Sequence, residues 1–427
     1  MTIIVQAKNF LRQAAKNLHF KALSRAETIS RWSIHPVAKR ERYIAALDKE
    51  FNGCVTGFVK WEYVKSKGNP RPRIIQFRDP AYLAAMEPWY APLEKACSHT
   101  PFAFTKHDKY VIAKGWNPHD RMLHILDKVS DLDDPVVICC DGSAFDAHQA
   151  KENLKLEWFF YKICLLLNDI NFDITQLKKK QLKNRCFYRS REGTVKYTVD
   201  GNRMSGDRNT GMGNSILTVS YILSSLAAID GKNYRFYVDG DDFILLASRS
   251  FSHLVRAAII SGFHRFGQDL KVEKTADLSD GLEGIDFCQS RPVLIDGEWR
   301  LIRNPYKVIN GYSRNRRWFE NGELAKRYFS TISKPEIGYN AGVPVLQSYF
   351  LALLKVADGA APLASESRRW WLRNSHFLNP SPVCECTRTS FRKAFDISEV
   401  EQEFFEREFD MWCPDTTFDG YRITEYK

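Results

Sequence analysis

A handful of acidic and amide side chains are spaced as phosphate chemistry would need them. Residues 239–242 read Asp239-Gly240-Asp241-Asp242 between two apolar runs, 234–238 and 243–247. Asp-Gly between alternating apolar residues predicts a β-hairpin, because glycine accepts the positive φ that tight turns demand. Carboxylates crowded at a hairpin tip repel one another. A divalent cation is the natural counter-charge where phosphate chemistry is done. In isolation a solvated surface turn would read the same way, and the rest of the chain separates the two.

A second acidic pair brackets the turn Asp141-Gly-Ser-Ala-Phe-Asp146. Asp141 ends the apolar run 135–140, which predicts a buried strand. A strand end beside a hairpin tip lets Asp141 and Asp241 approach one pair of metal ions. Two ions roughly 4 Å apart can activate an attacking hydroxyl and stabilise a leaving pyrophosphate. Further on, Ser205-Gly206 introduces a helical pattern over 209–229. Thr210 and Asn214 stand four apart on it, so they share a face that could read a sugar. Finally, Lys65, Lys67, Arg71, Arg73 and Arg78 make a comb of cations on a segment that Pro70 and Pro72 keep extended. Arginine forks match phosphate oxygens.

The elements that must position these groups follow from periodicity. Residues 8–50 pattern as helix, 60–80 as extended chain, 81–97 as helix, 149–168 as helix and 186–204 as strand. The hairpin spans 234–247, a helix follows at 250–268, and from about 305 the pattern is mostly helical, punctuated by Pro335, Pro344, Pro362 and Pro380. This order predicts an α+β core, a sheet with helices on one face.

Bulk properties narrow the class. The 427 residues carry a net charge of +11, and residues 1–80 hold 16 Lys/Arg against 6 Asp/Glu. Residues 396–427 are the reverse, 3 against 10. A basic excess of this size favours a polyanionic partner, nucleic acid or an anionic membrane surface. Ten cysteines are scattered without a zinc-type double pair, as in a reducing compartment. The longest apolar stretch, 158–167, is too short to cross a bilayer and is interrupted by Lys162. No Gly-x4-Gly-Lys-Ser/Thr loop occurs, which disfavours a P-loop helicase or kinase.

In this order the basic comb, Asp-x4-Asp, Ser-Gly-x3-Thr-x3-Asn and Gly-Asp-Asp resemble the motifs of a viral RNA-dependent RNA polymerase. The wording Pro72-Arg73-Ile74-Ile75-Gln76, Lys114-Gly115-Trp116-Asn117, Phe145-Asp146-Ala147-His148, Arg203-Met204-Ser205-Gly206-Asp207 and Phe287-Cys288-Gln289-Ser290 is similar to that of the tombusvirus-like group of positive-strand RNA viruses. The resemblance covers roughly residues 60–300. It implies a right-hand fold: an N-terminal region and fingers over 1–135, a palm over 136–304 with a fingers insertion at about 150–203, and a mostly helical thumb with an acidic C-terminal region over 305–427. The palm would hold an antiparallel sheet with helices on one face. It implies two Mg²⁺ or Mn²⁺ ions on Asp141 and Asp241 with Asp242 assisting, and ribose inspection by Asp146, Thr210 and Asn214. Ser205 and Gly206 would lie against template or nucleotide. Arg73, supported by Lys65, Lys67 and Arg78, would hold the triphosphate.

Lys271 or Lys274 would protonate the pyrophosphate, with Lys271 favoured by its wording, and Phe287-Cys288-Gln289 would form a primer-grip hairpin. The implied partners are RNA template, nascent strand and nucleoside triphosphates, at membrane-associated replication complexes in host cytoplasm. Members of that group often carry a membrane-anchoring N-terminal extension, which this chain is expected to lack. Either a separate viral replication protein supplies it, or this chain is the readthrough part of a longer product. Asp239 stands where relatives usually show Asn, adding a third acid to the tip. A reverse transcriptase is disfavoured by Asp-Gly-Asp-Asp in place of Tyr-x-Asp-Asp, and a structural RNA-binding protein leaves the acid pairs unexplained.

Overall fold

The computed structural model describes residues 2–60, 73–312, 322–363 and 379–413. They form a mixed α+β fold in two units, Met1–Gly115 with Lys128–Lys274, and Trp116–Asp127 with Thr275–Lys427.

The N-terminal stretch expected as helix over 8–50 is instead three helices: α1 (Ile3–Asn17), α2 (Arg25–Arg31) and α3 (Val37–Ile44). Local chemistry explains the breaks. Ser24 and Glu27 form a reciprocal capping box at the start of α2, with Glu27 N donating to Ser24 Oγ at 3.2 Å and Ser24 N to Glu27 Oε2 at 2.7 Å. Pro36 precedes α3, where its fixed φ starts a helix but cannot continue one.

Two four-stranded sheets follow, drawn from the first unit except for Thr275 to Asp277, the last three residues of one strand. One has the order β2-β1-β4-β5, from β1 (Val55–Val59), β2 (Ile74–Arg78), β4 (Lys183–Arg189) and β5 (Thr194–Asp200). β1 is antiparallel to β2 but parallel to β4. The other has the order β6-β7-β3-β8, from β3 (Pro135–Ser143), β6 (Tyr234–Asp239), β7 (Asp242–Ser248) and β8 (Asp269–Asp277). Here β7 pairs antiparallel with both β3 and β6. Every apolar residue of β7 from Phe243 to Ala247 is buried, so both faces of the strand are covered.

Helices α4 (Pro80–His99), α6 (Lys151–Leu167), α7 (Thr175–Leu182), α8 (Thr210–Ser225) and α9 (Ser252–Arg265) complete this unit, while α5 (Pro118–Ser130) runs across the division of the chain. α8 packs against β6, α1, α6 and α9. It is buried on all sides from Met212 to Ser224, which is why its sequence is apolar all round rather than striped.

In the second unit a hairpin of β9 (Ser290–Ile295) and β10 (Glu298–Arg303), which periodicity did not predict, precedes α10 (Pro305–Tyr312). Four further described helices, Gly322–Tyr339, Leu346–Val356, Glu385–Phe395 and Glu399–Asp410, pack Phe329, Tyr349, Phe350, Phe391 and Phe409 into its core. The expected helical character beyond 305 is present in the described residues. No helix among the described residues is long and apolar enough to cross a membrane.

Candidate active site

Strand register gathers the acids. Asp239 pairs with Asp242 across the hairpin, and Asp141 at the end of β3 pairs with Asp242 from the other side. Gly142 N donates to Asp241 O at 3.3 Å. Gly240 has φ +75 while Asp241 does not take a positive φ, the II′ pattern that suits strand twist. A side chain at 240 would meet nothing within 4 Å, so glycine is needed there for its conformation and not for space.

The tip is also held from below. Ser215 Oγ accepts from Gly240 N at 2.8 Å, and Thr218 Oγ1 donates to Gly240 O at 2.8 Å. Both ends of the Gly240 residue are thereby fixed by hydroxyls on α8. Sequence reasoning missed these two residues. The signal was present: Gly211, Asn214, Ser215 and Thr218 follow the i, i+3, i+4, i+7 spacing of one helix face on an otherwise apolar helix.

The electrostatics match a cation site. Burial pushes the Asp241 carboxyl up to about 6, and the charges of Asp146, Asp141 and Asp239 add to the rise. Asp141 is raised by burial and by Glu273, and Lys271 opposes the shift. No group of three or more His, Cys, Asp or Glu side chains forms a ready metal cage among the described residues. Mg²⁺ does not need one, since it commonly takes one or two carboxylates and completes its shell with water and substrate phosphates. An all-carboxylate donor set therefore fits a hard divalent ion.

The expected sugar-reading residues divide. Asn214 Nδ2 donates to Asp146 Oδ1 at 2.8 Å, and Arg203 Nε donates to Asn214 Oδ1 at 3.1 Å. The amide is thus oriented from behind. Burial raises the Asp146 carboxyl, and the Asn214 bond opposes the rise. Thr210 is directed elsewhere: its hydroxyl bonds the backbone oxygens of Met204 and Asp207, at 2.9 and 3.0 Å. It braces its own loop, although it retains lone pairs to accept with. Ser205 and Gly206 are clamped to β2, with Gln76 N donating to Ser205 Oγ at 3.2 Å and Gly206 N to Gln76 O at 2.7 Å. A Cβ on Gly206 would fall 2.7 Å from that same oxygen. Glycine is required by the close approach.

Among the cations, Arg78 corrects the sequence expectation. It is fully buried, and Nε donates to Asp207 Oδ1 at 2.6 Å while Nη1 donates to Gly53 O at 2.9 Å. Asn184 takes a further bond. Its forks are spent inside the protein, so it cannot support a triphosphate. Arg73 is exposed just before β2. Lys65 and Lys67 lie outside the described residues. On β8, burial alternates strictly, which puts Lys271 and Glu273 on the exposed face and Lys274 on the other. Lys271 Nζ lies 3.0 Å from Glu273 Oε1, and both act on the Asp141 carboxyl. In the second unit, Phe287 and Ser290 exchange two backbone bonds of 3.0 Å around Cys288 and Gln289, at φ 53 and 60. Cys288 and Gln289 therefore form a two-residue turn between Phe287 and Ser290 that leads into β9, and the β9–β10 hairpin follows it.

The wider comparison agrees with the motifs. The model of the viral RNA-dependent RNA polymerase family matches residues 10–416. The chain belongs to that family. It is 29% identical over 411 residues to the RNA-directed RNA polymerase of groundnut rosette virus (strain MC1), covering 92% of this chain and 47% of the relative. Against the polymerase of tobacco necrosis virus (strain D) the identity is 30% over 394 residues, covering 87% and 53%. Against that of Cymbidium ringspot virus it is 27% over 388 residues, covering 89% and 44%. The chain spans about half the length of these relatives. The tombusvirus-like resemblance read from the motifs holds at the level of the family. Divalent-metal dependence is general in such polymerases.

Proposed function

We propose that this chain catalyses template-directed RNA synthesis for a positive-strand RNA virus. The 3′-hydroxyl of a nascent strand attacks the α-phosphorus of a ribonucleoside triphosphate, and pyrophosphate leaves. The observation that carries the reading is the strand register that brings Asp141 and Asp242 opposite each other with Asp241 at the adjoining turn. Asp141 and Asp241, assisted by Asp242, would hold two Mg²⁺ or Mn²⁺ ions, which supply activation of the hydroxyl and neutralise charge on the leaving group.

The chain's own groups do the rest. Asp146 accepts from a ribose 2′-OH, and Asn214 fixes the carboxylate that does so. Ser205 and Gly206 offer backbone to the template or nucleotide. Arg73, with Lys65 and Lys67, binds the triphosphate; Arg78 instead anchors β2. Lys271 donates a proton to the departing pyrophosphate, and Glu273 holds its ammonium near Asp141. In the right-hand description, residues 1–135 would be N-terminal region and fingers, 136–304 palm with the insertion at about 150–203, and 305–427 thumb and acidic tail. The partners would be RNA, nucleoside triphosphates and a separate viral membrane-anchoring protein, at replication complexes in host cytoplasm.

Primer extension on a homopolymer template tests this reading. Asp141→Ala and Asp241→Asn should each lower incorporation by about 10²–10³-fold or more, the scale of losing a catalytic electrostatic group. RNA affinity should stay near wild type, because it rests on separate phosphate contacts, and EDTA should abolish incorporation. Wild-type incorporation by either variant would sink the assignment.

A further inference from the structure

We infer that Lys114 is a phosphate-binding residue of this same active site. The inference rests on the polymerase reading. It starts from an added strand. Val111 to Ala113 run beside β6: Ile112 bridges Val238 in parallel, Val238 N donates to Val111 O at 3.0 Å, and Ala113 N donates to Val238 O at 2.8 Å. Continuing that register puts Ala113 level with Asp239 and Lys114 level with Gly240 at the hairpin tip. Gly115, at φ +89, then turns the chain.

The side chain of Lys114 crosses the first turn of α8. A Cβ built on Gly211 would fall 2.5 Å from Lys114 Nζ, 2.9 Å from Cε and 3.4 Å from Cδ. The lysine stem occupies the space that any other residue at 211 would fill. Gly211 shares its helix face with Asn214, which bonds Asp146, and with Ser215, which bonds the tip. The ammonium therefore lies along the same face as the sugar-reading pair and the hairpin clamp.

Its charge is not already used. Among the described residues no ion pair, hydrogen bond or ring contact engages Lys114. Fully buried cations of this unit contrast with it: Lys128 pairs with Asp108, and Arg203 with Glu157. A half-buried ammonium without a carboxylate, beside acids suited to metal ions, lacks only an anion that is absent from the protein itself. Phosphate oxygens supply that charge, either from an RNA backbone or from the incoming triphosphate.

The test uses the full chain with Lys114→Met, Lys114→Arg and Gly211→Ala. Two quantities are read: the KM for nucleoside triphosphate, and the salt dependence of single-stranded RNA affinity by filter binding. A triphosphate contact predicts a rise in KM of about tenfold for Lys114→Met with little change in kcat. An RNA contact instead predicts a salt slope shallower by about 0.7, the value for one phosphate on a single strand. In either case Lys114→Arg retains most of the wild-type behaviour. Gly211→Ala, which favours the helix but displaces the lysine stem, reproduces the Lys114→Met change. KM and salt slope both unchanged in Lys114→Met and Gly211→Ala would overturn the inference, as would a lowered Tm that moves neither. If the wild-type chain makes no RNA, the polymerase reading fails, yet the salt slope still decides Lys114.

Discussion

The hairpin tip and the loop leading into α8 both concentrate charged side chains, and they treat them in opposite ways. In the loop every charge is answered. Arg78 and Asp207 pair at 2.6 Å with both side chains buried, and Gln181 Nε2 donates to Asp207 Oδ2 at 2.9 Å. Glu157 accepts from Arg203, from Tyr161 and from Asn209. At the tip, carboxylates face carboxylates, and burial and mutual repulsion lift Asp241 toward neutrality. The first arrangement is a fixed support, since a buried network of paired charges favours one geometry, with Arg203 Nη1 left without a hydrogen-bond partner. The second sets like charges together, a repulsion that arriving cations would relieve. A charge cluster is therefore a candidate site when like charges crowd together, and a brace when opposite charges pair.

The sharpest way to break the contrast is to remove one charge from each region. Arg203→Ala strands Glu157 without its cation, and losing one partner of a buried pair costs about 3–5 kcal/mol. Urea denaturation should show that loss, whereas Asp241→Asn should cost no stability without metal. Equal destabilisation by the two would erase the distinction between brace and site.

A pH titration gives a smaller effect. The folded state raises Asp241 to about 6, above the usual carboxylate range, so the fold favours its protonated form. Stability from this group is fully present below the unfolded value of about 3.9 and is lost as pH rises through about 6. In chelator-treated protein, wild type should lose of order 1–2 kcal/mol relative to Asp241→Asn between about pH 4 and pH 7. Added Mg²⁺ should remove the difference, because metal binding displaces the proton. A pH-independent difference between the two proteins would show that the tip is already neutralised from within.

The smallest effect links the regions, because Arg203 belongs to the brace and Asn214 to the site. Asn214→Ala and Asp146→Ala should each narrow the preference for ribonucleotides over deoxynucleotides by at least about tenfold, since a site built around a hydroxyl otherwise rejects its absence. Competition between labelled ribo- and deoxynucleotides reads the ratio. An unchanged ratio in both variants would make the Asp146–Asn214 bond part of the brace alone.

Much of the site was legible in sequence because it depends on local rules. Asp-Gly between apolar runs gave the hairpin, the apolar run before Asp141 gave β3, and the spacing of Thr210 and Asn214 gave a helix face. The misses have a different origin. Arg78 looks like Arg73 in sequence, and only Asp207, 129 residues away, spends its charge. Thr210 has the same helical spacing as Asn214, yet the loop carbonyls before it capture its hydroxyl. The parallel pairing of β1 with β4 joins segments more than a hundred residues apart, which no local pattern announces. The break before α2 was readable, since Ser24 and Glu27 spell a capping box, but apolar spacing across 8–50 outweighed it.

α1 also bears on how the chain reaches its fold. Its buried face, Ile3, Ala7, Leu11, Ala14 and Ala15, packs against α6 and α8. α1 leaves the ribosome well before both partners are complete, because α6 ends at Leu167 and α8 only at Ser225. At translation rates of about 5–20 residues per second, the wait is on the order of 10–40 s. Until then a 15-residue amphipathic segment lacks part of the surface that covers it in the fold, and a helix of this length is marginal alone in water. The pace of synthesis across residues 18–225 thus bears on how many chains fold before they associate, although it alters no contact in the finished molecule.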